Sequence, residues 1–111
     1  MRQPRATARD LHLNMSRPPP LLHVEGDVDA RTSELFARAL VDLTSDRPGT
    51  DVTVDAGAMN FIGIAGMRAL IQAADHQHRR DGRLTLAQAN ETTWRHLALL
   101  HWDTHPGLHR A

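Results

Sequence analysis

Histidines near the carboxyl end are the first residues whose spacing suggests chemistry. His101, His105 and His109 recur at every fourth position, which on one helix would align three imidazoles as zinc ligands. Pro106 and Gly107 stand between them and interrupt such a helix. No carboxylate or thiolate completes the set at ligand spacing. The sequence therefore predicts no metal site.

Two aspartates and two glycines suggest catalysis or phosphate binding. Asp29 and Asp55 could form an acid–base pair, but a helix cap and a strand-end hydrogen-bond partner are the simpler interpretations. Gly63-x-x-Gly66 lacks the lysine and the third glycine that make a phosphate loop specific. We therefore expect neither catalytic residues nor a cofactor.

Charge and composition exclude several classes of partner. The 13 basic and 13 acidic residues balance, so no general attraction to nucleic acid or anionic membrane is expected. Arg79, Arg80 and Arg83 form a basic cluster that suits the solvated end of a helix. All 13 basic residues are Arg, which we attribute to a GC-rich, bacterial genome. Without a signal sequence or an apolar run of about 18 residues, a cytoplasmic protein with no membrane insertion is expected.

The elements that would position these residues form one domain. Residues 1–9 are polar and basic and predict a disordered leader, and residues 10–111 hold enough apolar residues for one core. Alternating apolar residues predict strands around 11–14, 22–25, 52–54 and 84–86. Between them, helical spacing predicts helices that begin after Asp29 and Thr32, after Gly63 and after Asn90. The segment Ala56–Gly66 is expected to be a loop at the carboxyl end of a strand, where α/β folds place their sites.

Two segments carry a more specific pattern: Gly26-Asp27-Val28-Asp29-Ala30-Arg31-Thr32, and Val52-Thr53-Val54-Asp55 continuing through Phe61-Ile62-Gly63-Ile64-Ala65-Gly66-Met67. Together they resemble the STAS family of anti-sigma factor antagonists and their relatives. That family reads G-x-x-D-x-x-T, then a strand ending in D-L, then F-x-D-S-S-G-L. The resemblance covers roughly residues 11–104 and implies an α/β fold with a mixed sheet of about four to five strands and helices mainly on one face. His101 replaces a glycine of the family.

The resemblance also implies a regulatory switch that this chain lacks. In the family, a partner kinase that is also an anti-sigma factor phosphorylates the second serine of D-S-S-G, and the added charge releases the complex. Here that stretch reads Gly63-Ile64-Ala65, so Ala65 occupies the position of the phosphoserine. Between Ala56 and Gly66 no Ser, Thr or Tyr substitutes for it.

We therefore expect a non-catalytic regulator that docks on an anti-sigma factor with a kinase-like fold, or on another protein. The residues expected to bind the partner lie at two helix starts: Asp29, Thr32, Ser33, Asn60, Gly63, Ile64, Ala65, Gly66, Arg68 and Gln72. Alternatives are a docking subunit of a stress-signalling assembly or of a lipid-transport ATPase, and a nucleotide or small-molecule sensor. The sequence leaves the oligomeric state open.

Overall fold

The described residues form six strands and three helices, and from the third strand onward strands and helices alternate. The computed structural model describes the backbone of residues 5–8 and residues 10–111 with their side chains. In chain order the elements are β1 (Arg5–Ala8), β2 (Leu11–Ser16), β3 (Leu21–Val28), α1 (Ser33–Leu43), β4 (Val52–Ile62), α2 (Ile64–Arg79), β5 (Leu84–Ala87), α3 (Glu91–Leu99) and β6 (Leu108–Arg110). None of the helices in this described part is long and apolar enough to cross a membrane.

The strands form one mixed sheet whose spatial order, β1 to β6, follows the chain. The pairs β1–β2 and β2–β3 are antiparallel, and each later pair is parallel. This confirms the predicted fold class, although the described residues contain six strands where four to five were expected. The leader prediction is corrected for Arg5–Ala8, which pair with β2; residues 1–4 and 9 lie outside the described residues.

Alternation along the strands decides which face of the sheet is covered. On β2, Leu11, Leu13 and Met15 are buried, whereas His12 on the opposite face is exposed. Alternation on β5 and on the first halves of β3 and β4 continues this apolar face, and beyond Ala56 the buried residues of β4, Met59 and Ile62, are three apart. Helices α1 and α2 pack against this sheet and against each other. Burying apolar surface between helix and sheet is the main stabilising term of such a layered fold.

Strand β4 is longer than the sequence predicted. It extends through Ile62, so the expected loop over Ala56–Gly66 is wrong and only Gly63 separates β4 from α2. The pairing explains this, because β3 continues beside β4 until Val28 meets Ile62. The pairing shifts register twice, and at each shift β4 has one residue more than β3, so the irregular stretch forms bulges within β4. The result places the carboxyl ends of β3 and β4 side by side.

Two helices end in a left-handed residue, which is the Schellman arrangement. After α2, Asp81 has φ 63° and the Gly82 N–H donates to the Gln77 carbonyl at 2.8 Å, as expected for an Asp81-Gly82 terminus. After α3, His101 has φ 59° and the Trp102 N–H donates to the Leu97 carbonyl at 2.9 Å. His101 thus occupies the conformation for which a glycine is normally selected.

The last strand, β6, was not predicted and closes the sheet beside β5. Leu108 is buried in the core, and the Leu84 N–H donates to the Gly107 carbonyl at 2.8 Å. The guanidinium of Arg110 lies 4.9 Å from the centre of the Trp94 ring and also pairs with Glu91. These contacts fix β6 to both β5 and α3.

Candidate docking surface

The starts of α1 and α2 adjoin each other because the strands that precede them are paired. The Gly63 N–H donates to the Val28 carbonyl at 2.8 Å, which joins the two connections directly. Gly66 brings α2 close: a Cβ there would lie 2.6 Å from Val28 Cγ1 and 2.8 Å from Ile62 Cγ1. A glycine is therefore required for the first turn of α2 to rest on the strand ends.

Asp29 and Thr32 stabilise the turn that leads into α1. Asp29 Oδ1 accepts the N–H groups of Arg31 at 2.9 Å and Thr32 at 3.1 Å. In return, Thr32 Oγ1 accepts the Asp29 N–H at 2.9 Å. Thr32 is the N-cap residue, but its side chain bonds no N–H of the helix itself. The predicted caps therefore act one turn earlier than expected.

The same hydrogen bonds change the acidity of Asp29. Burial alone raises the pKa of this carboxyl, but the backbone and side-chain donors of Arg31 and Thr32 outweigh burial, so its pKa lies below the ordinary value. Arg31 Nη2 also lies 2.8 Å from Asp10 Oδ2 and 3.4 Å from Asp29 Oδ2. Asp29 thus remains an anion at the start of α1, where the helix dipole favours one.

The predicted partner-binding residues divide by exposure. Thr32 and Gly66 are buried, so they position the surface without presenting side chains to a partner. Asp29, Ser33 and Gly63 are partly exposed, and Asn60, Ile64, Ala65, Arg68 and Gln72 are exposed. The two helix starts are therefore accessible from outside, with Ala65 exposed in the first turn of α2.

Phe61 is an exposed residue that the sequence prediction missed. It is 49% exposed at the end of β4, and Ile64, just after it, is 54% exposed. The Phe61 ring lies against Gly63, 3.5 Å from where a Cβ of that residue would stand. Its alternation with the buried Ile62 is the only signal that could have indicated its exposure. We call Phe61 and the eight accessible predicted residues the docking surface: Asp29, Ser33, Asn60, Phe61, Gly63, Ile64, Ala65, Arg68 and Gln72.

Asp29 and Asp55 lie too far apart to form a catalytic acid–base pair. His23 pairs with Asp55, so Asp29, beyond Val28, lies roughly 20 Å further along the strands at about 3.3 Å per residue. This separation is too large for shared acid–base work. Asp55 instead accepts the Gly57 N–H at 2.9 Å and lies 3.0 Å from His23 Nδ1, as expected for a hydrogen-bond partner on the strand.

The three histidines near the carboxyl end lie outside the helices, and two of the three arginines in the basic cluster pair with aspartates. Because α3 ends at Leu99, His101, His105 and His109 share no helix. Among the residues that the structure describes, no group of three His, Asp or Glu side chains could hold a metal ion. Of the basic cluster, Arg79 lies 2.9 Å from Asp75 and Arg83 lies 3.6 Å from Asp51. A continuous basic face is therefore not formed there.

Comparison with known proteins agrees with this geometry. A family model described as Mlab, STAS domain matches residues 11–109, and the chain therefore belongs to the STAS domain family. Among curated proteins, none matches the sequence significantly.

Solved structures share the fold at low sequence identity. An anti-sigma factor antagonist from Mycobacterium paratuberculosis is 19% identical, with TM-score 0.67, over 97% of this chain and 84% of that one. The unphosphorylated anti-sigma factor antagonist SpoIIAA is 14% identical, with TM-score 0.69, over 91% and 87%. A murine solute carrier 26 family anion transporter is 13% identical, with TM-score 0.62, over 72% of this chain but only 13% of its own. The fold thus occurs in small antagonists and as part of a transporter.

Proposed function

We propose that the chain is a regulatory docking protein that binds an anti-sigma factor of kinase-like fold through the docking surface. The observation that supports this best is the exposure of Phe61 and Ile64 between two polar helix starts. Exposed apolar side chains rimmed by polar residues are typical of protein–protein contact sites. The antagonists among the similar structures support the same class of partner.

The proposal includes the absence of phosphorylation control at Ala65. A methyl group at this exposed position accepts no phosphate, and the segment from Ala56 to Gly66 holds no hydroxyl side chain. The partner would therefore meet the same uncharged α2 start whether or not ATP is present. The interaction would depend on the amounts of the two proteins, with no cycle of modification.

A binding measurement with a candidate anti-sigma factor tests the docking surface. We expect Ile64→Asp to weaken binding by about tenfold or more, because it removes an apolar contact and introduces a charge. Leu99→Asp is the matched control, since Leu99 is 74% exposed on α3, outside the docking surface. Equal losses in the two variants, or unchanged binding by Ile64→Asp, would contradict the proposed surface.

Incubation with the kinase and labelled ATP tests the missing switch. We expect Ala65→Ser to take up label and to lose affinity afterwards, while the native chain stays unlabelled. Label on the native chain at another Ser or Thr would show that the control has moved to a different residue.

A second candidate partner is an ATPase of a transport system. The occurrence of this fold within an anion transporter supports transport as the setting of this second candidate. The same variants distinguish the two candidates, because each partner can be titrated in turn. Binding to the transport ATPase with an Ile64→Asp defect, and no binding to any anti-sigma factor, would favour this second candidate.

A further inference from the structure

A groove of about 480 Å³ lies between α1 and α2, apart from most of the docking surface. Small residues create it: Ala37 on α1 faces Ala69 and Ala73 on α2, so the two packed helices leave space that larger side chains would fill. Val41 forms part of the wall and is 69% exposed. The groove therefore offers apolar surface that no part of residues 10–111 covers.

The groove is cationic toward the carboxyl ends of the two helices. Arg80 lies there, and its guanidinium donates to the Thr44 carbonyl at 3.0 Å and to the Asp46 carbonyl at 2.7 Å. His76 Nε2 lies 3.1 Å from Arg80 Nη1. Within residues 10–111 no carboxylate pairs with Arg80, and the Asp46 carboxylate pairs with Arg17 at 3.4 Å instead. A guanidinium has five N–H donors, more than these three contacts use. Arg80 is therefore a cation fixed in place by the two carbonyls, and its remaining N–H groups can bind a ligand.

Size and lining favour a slender small molecule over a partner helix. The volume lies within the roughly 300–1,000 Å³ typical of small-molecule pockets, which are mainly apolar with a few polar groups that orient the ligand. A partner helix would present a stripe of several apolar side chains. The more exposed apolar lining here is small, formed by Ala37, Val41 and Ala69, and it ends at a single cation, which matches a linear chain with one anionic head.

We propose that this groove binds an amphipathic small molecule with a linear apolar chain and one anionic head, of the class of medium-chain fatty acids. The chain lies along Ala37, Val41, Ala69 and Ala73, and the carboxylate meets Arg80 and His76. Burial of the chain provides most of the free energy, and the ion pair fixes its direction. This site goes beyond the docking proposal and does not depend on it.

Calorimetric titration of the full chain tests the ligand class with three probes, with dodecanoate kept below its micellar concentration and dodecan-1-ol below its solubility limit. We expect dodecanoate to bind, butyrate to give no detectable heat, and dodecan-1-ol to bind about tenfold more weakly, a difference of about 1.4 kcal/mol. Dodecan-1-ol binding with the same affinity as dodecanoate would overturn the role of Arg80. Absence of dodecanoate binding would overturn the proposal as a whole.

Two matched variants place the site. Val41→Glu puts a carboxylate in the apolar wall and is expected to weaken dodecanoate binding by about tenfold or more. Leu99→Glu makes the same change at an equally exposed position on α3 and should leave binding unchanged. Equal effects would show binding elsewhere and overturn the assignment. So would a Val41→Glu variant that binds dodecanoate normally but loses a protein partner, because the groove would then be a protein contact.

Discussion

Asp29 links the local hydrogen bonding of one residue to the stability of the whole domain. Its carboxylate holds the turn before α1 by accepting two backbone N–H groups, and its pKa lies below the ordinary value of 3.8. A depressed pKa in the folded state means that the anion stabilises the fold above the unfolded-state pKa. This contribution is lost as the pH falls through the folded-state pKa.

We therefore expect Asp29→Asn to flatten the acid limb of the stability curve. Asparagine keeps the accepting oxygen but does not titrate, so the native chain should lose its advantage over the variant as the pH falls below 3.8. Urea denaturation of both proteins from neutral pH into acid measures the difference. A constant difference at every pH would show that the charge of Asp29 contributes nothing.

The sequence predicts which residues lie at the two helix starts, but it does not predict which of their side chains are exposed. The resemblance to the STAS family located Ala65 and its neighbours, and its motifs predicted the two helix starts. Thr32 and Gly66 belong to the same motifs yet are buried, because Gly66 packs on Val28 and Ile62 and Thr32 Oγ1 donates to a carbonyl of β3. Phe61 is exposed for the opposite reason, since the strand alternation turns Ile62 inward. Such differences arise from packing between segments far apart in the chain.

At the level of elements, periodic segments were predicted well and their ends were not. The spacing of apolar residues located all three helices, and Asn90 accepts the Thr93 N–H at 2.8 Å as the predicted cap of α3. Gly57 and Asn60, however, were interpreted as loop residues although they lie within β4. Neither has a register partner on β3, because both lie at the two register shifts where β4 has one residue more than β3. Such bulges depend on the pairing of the flanking residues, which a local pattern does not contain.

The end of α3 gives a prediction at this scale. His101 has φ 59°, and a non-glycine residue in this conformation is strained by about 1–2 kcal/mol. His101→Gly should therefore raise the free energy of unfolding by about 0.5–1 kcal/mol, after the greater freedom of glycine in the unfolded chain is subtracted.

A second glycine substitution in the same helix provides the control. Ala98→Gly, at an exposed position in the last turn of α3, should lower the free energy of unfolding by up to about 1 kcal/mol. Chemical denaturation of both variants tests the pair. Destabilisation by His101→Gly would mean that the histidine side chain makes a stabilising contact larger than its backbone strain.

For the molecule as a whole, the sheet is larger than local patterns indicate. The 4 residues of β1, Arg-Ala-Thr-Ala, include no large apolar side chain, and β6, with 3 residues, is too short to show a period, so neither is predicted. Yet β6 contributes the buried Leu108 to the core and supplies Arg110 to Trp94. It is part of the folded unit and not an appended tail.

We expect Leu108→Ala to destabilise the entire domain by about 2–5 kcal/mol, the usual cost of a large-to-small change in a core. Leu99→Ala, at 74% exposure, should change stability by less than about 0.5 kcal/mol. A single cooperative transition at lower denaturant would confirm that β6 unfolds with the rest. A separate early transition would mean that this strand detaches independently.

The spatial order of the strands, identical to their order along the chain, bears on how the protein acquires its structure. When each strand after the first leaves the ribosome, the preceding strand, with which it pairs, has already been synthesised. No later segment must be inserted between two earlier strands. Assembly can therefore advance from the amino end as translation proceeds, with each connection closing a loop of modest length. We expect a nascent chain stalled after α2 to protect β2 and β3 already from proteolysis.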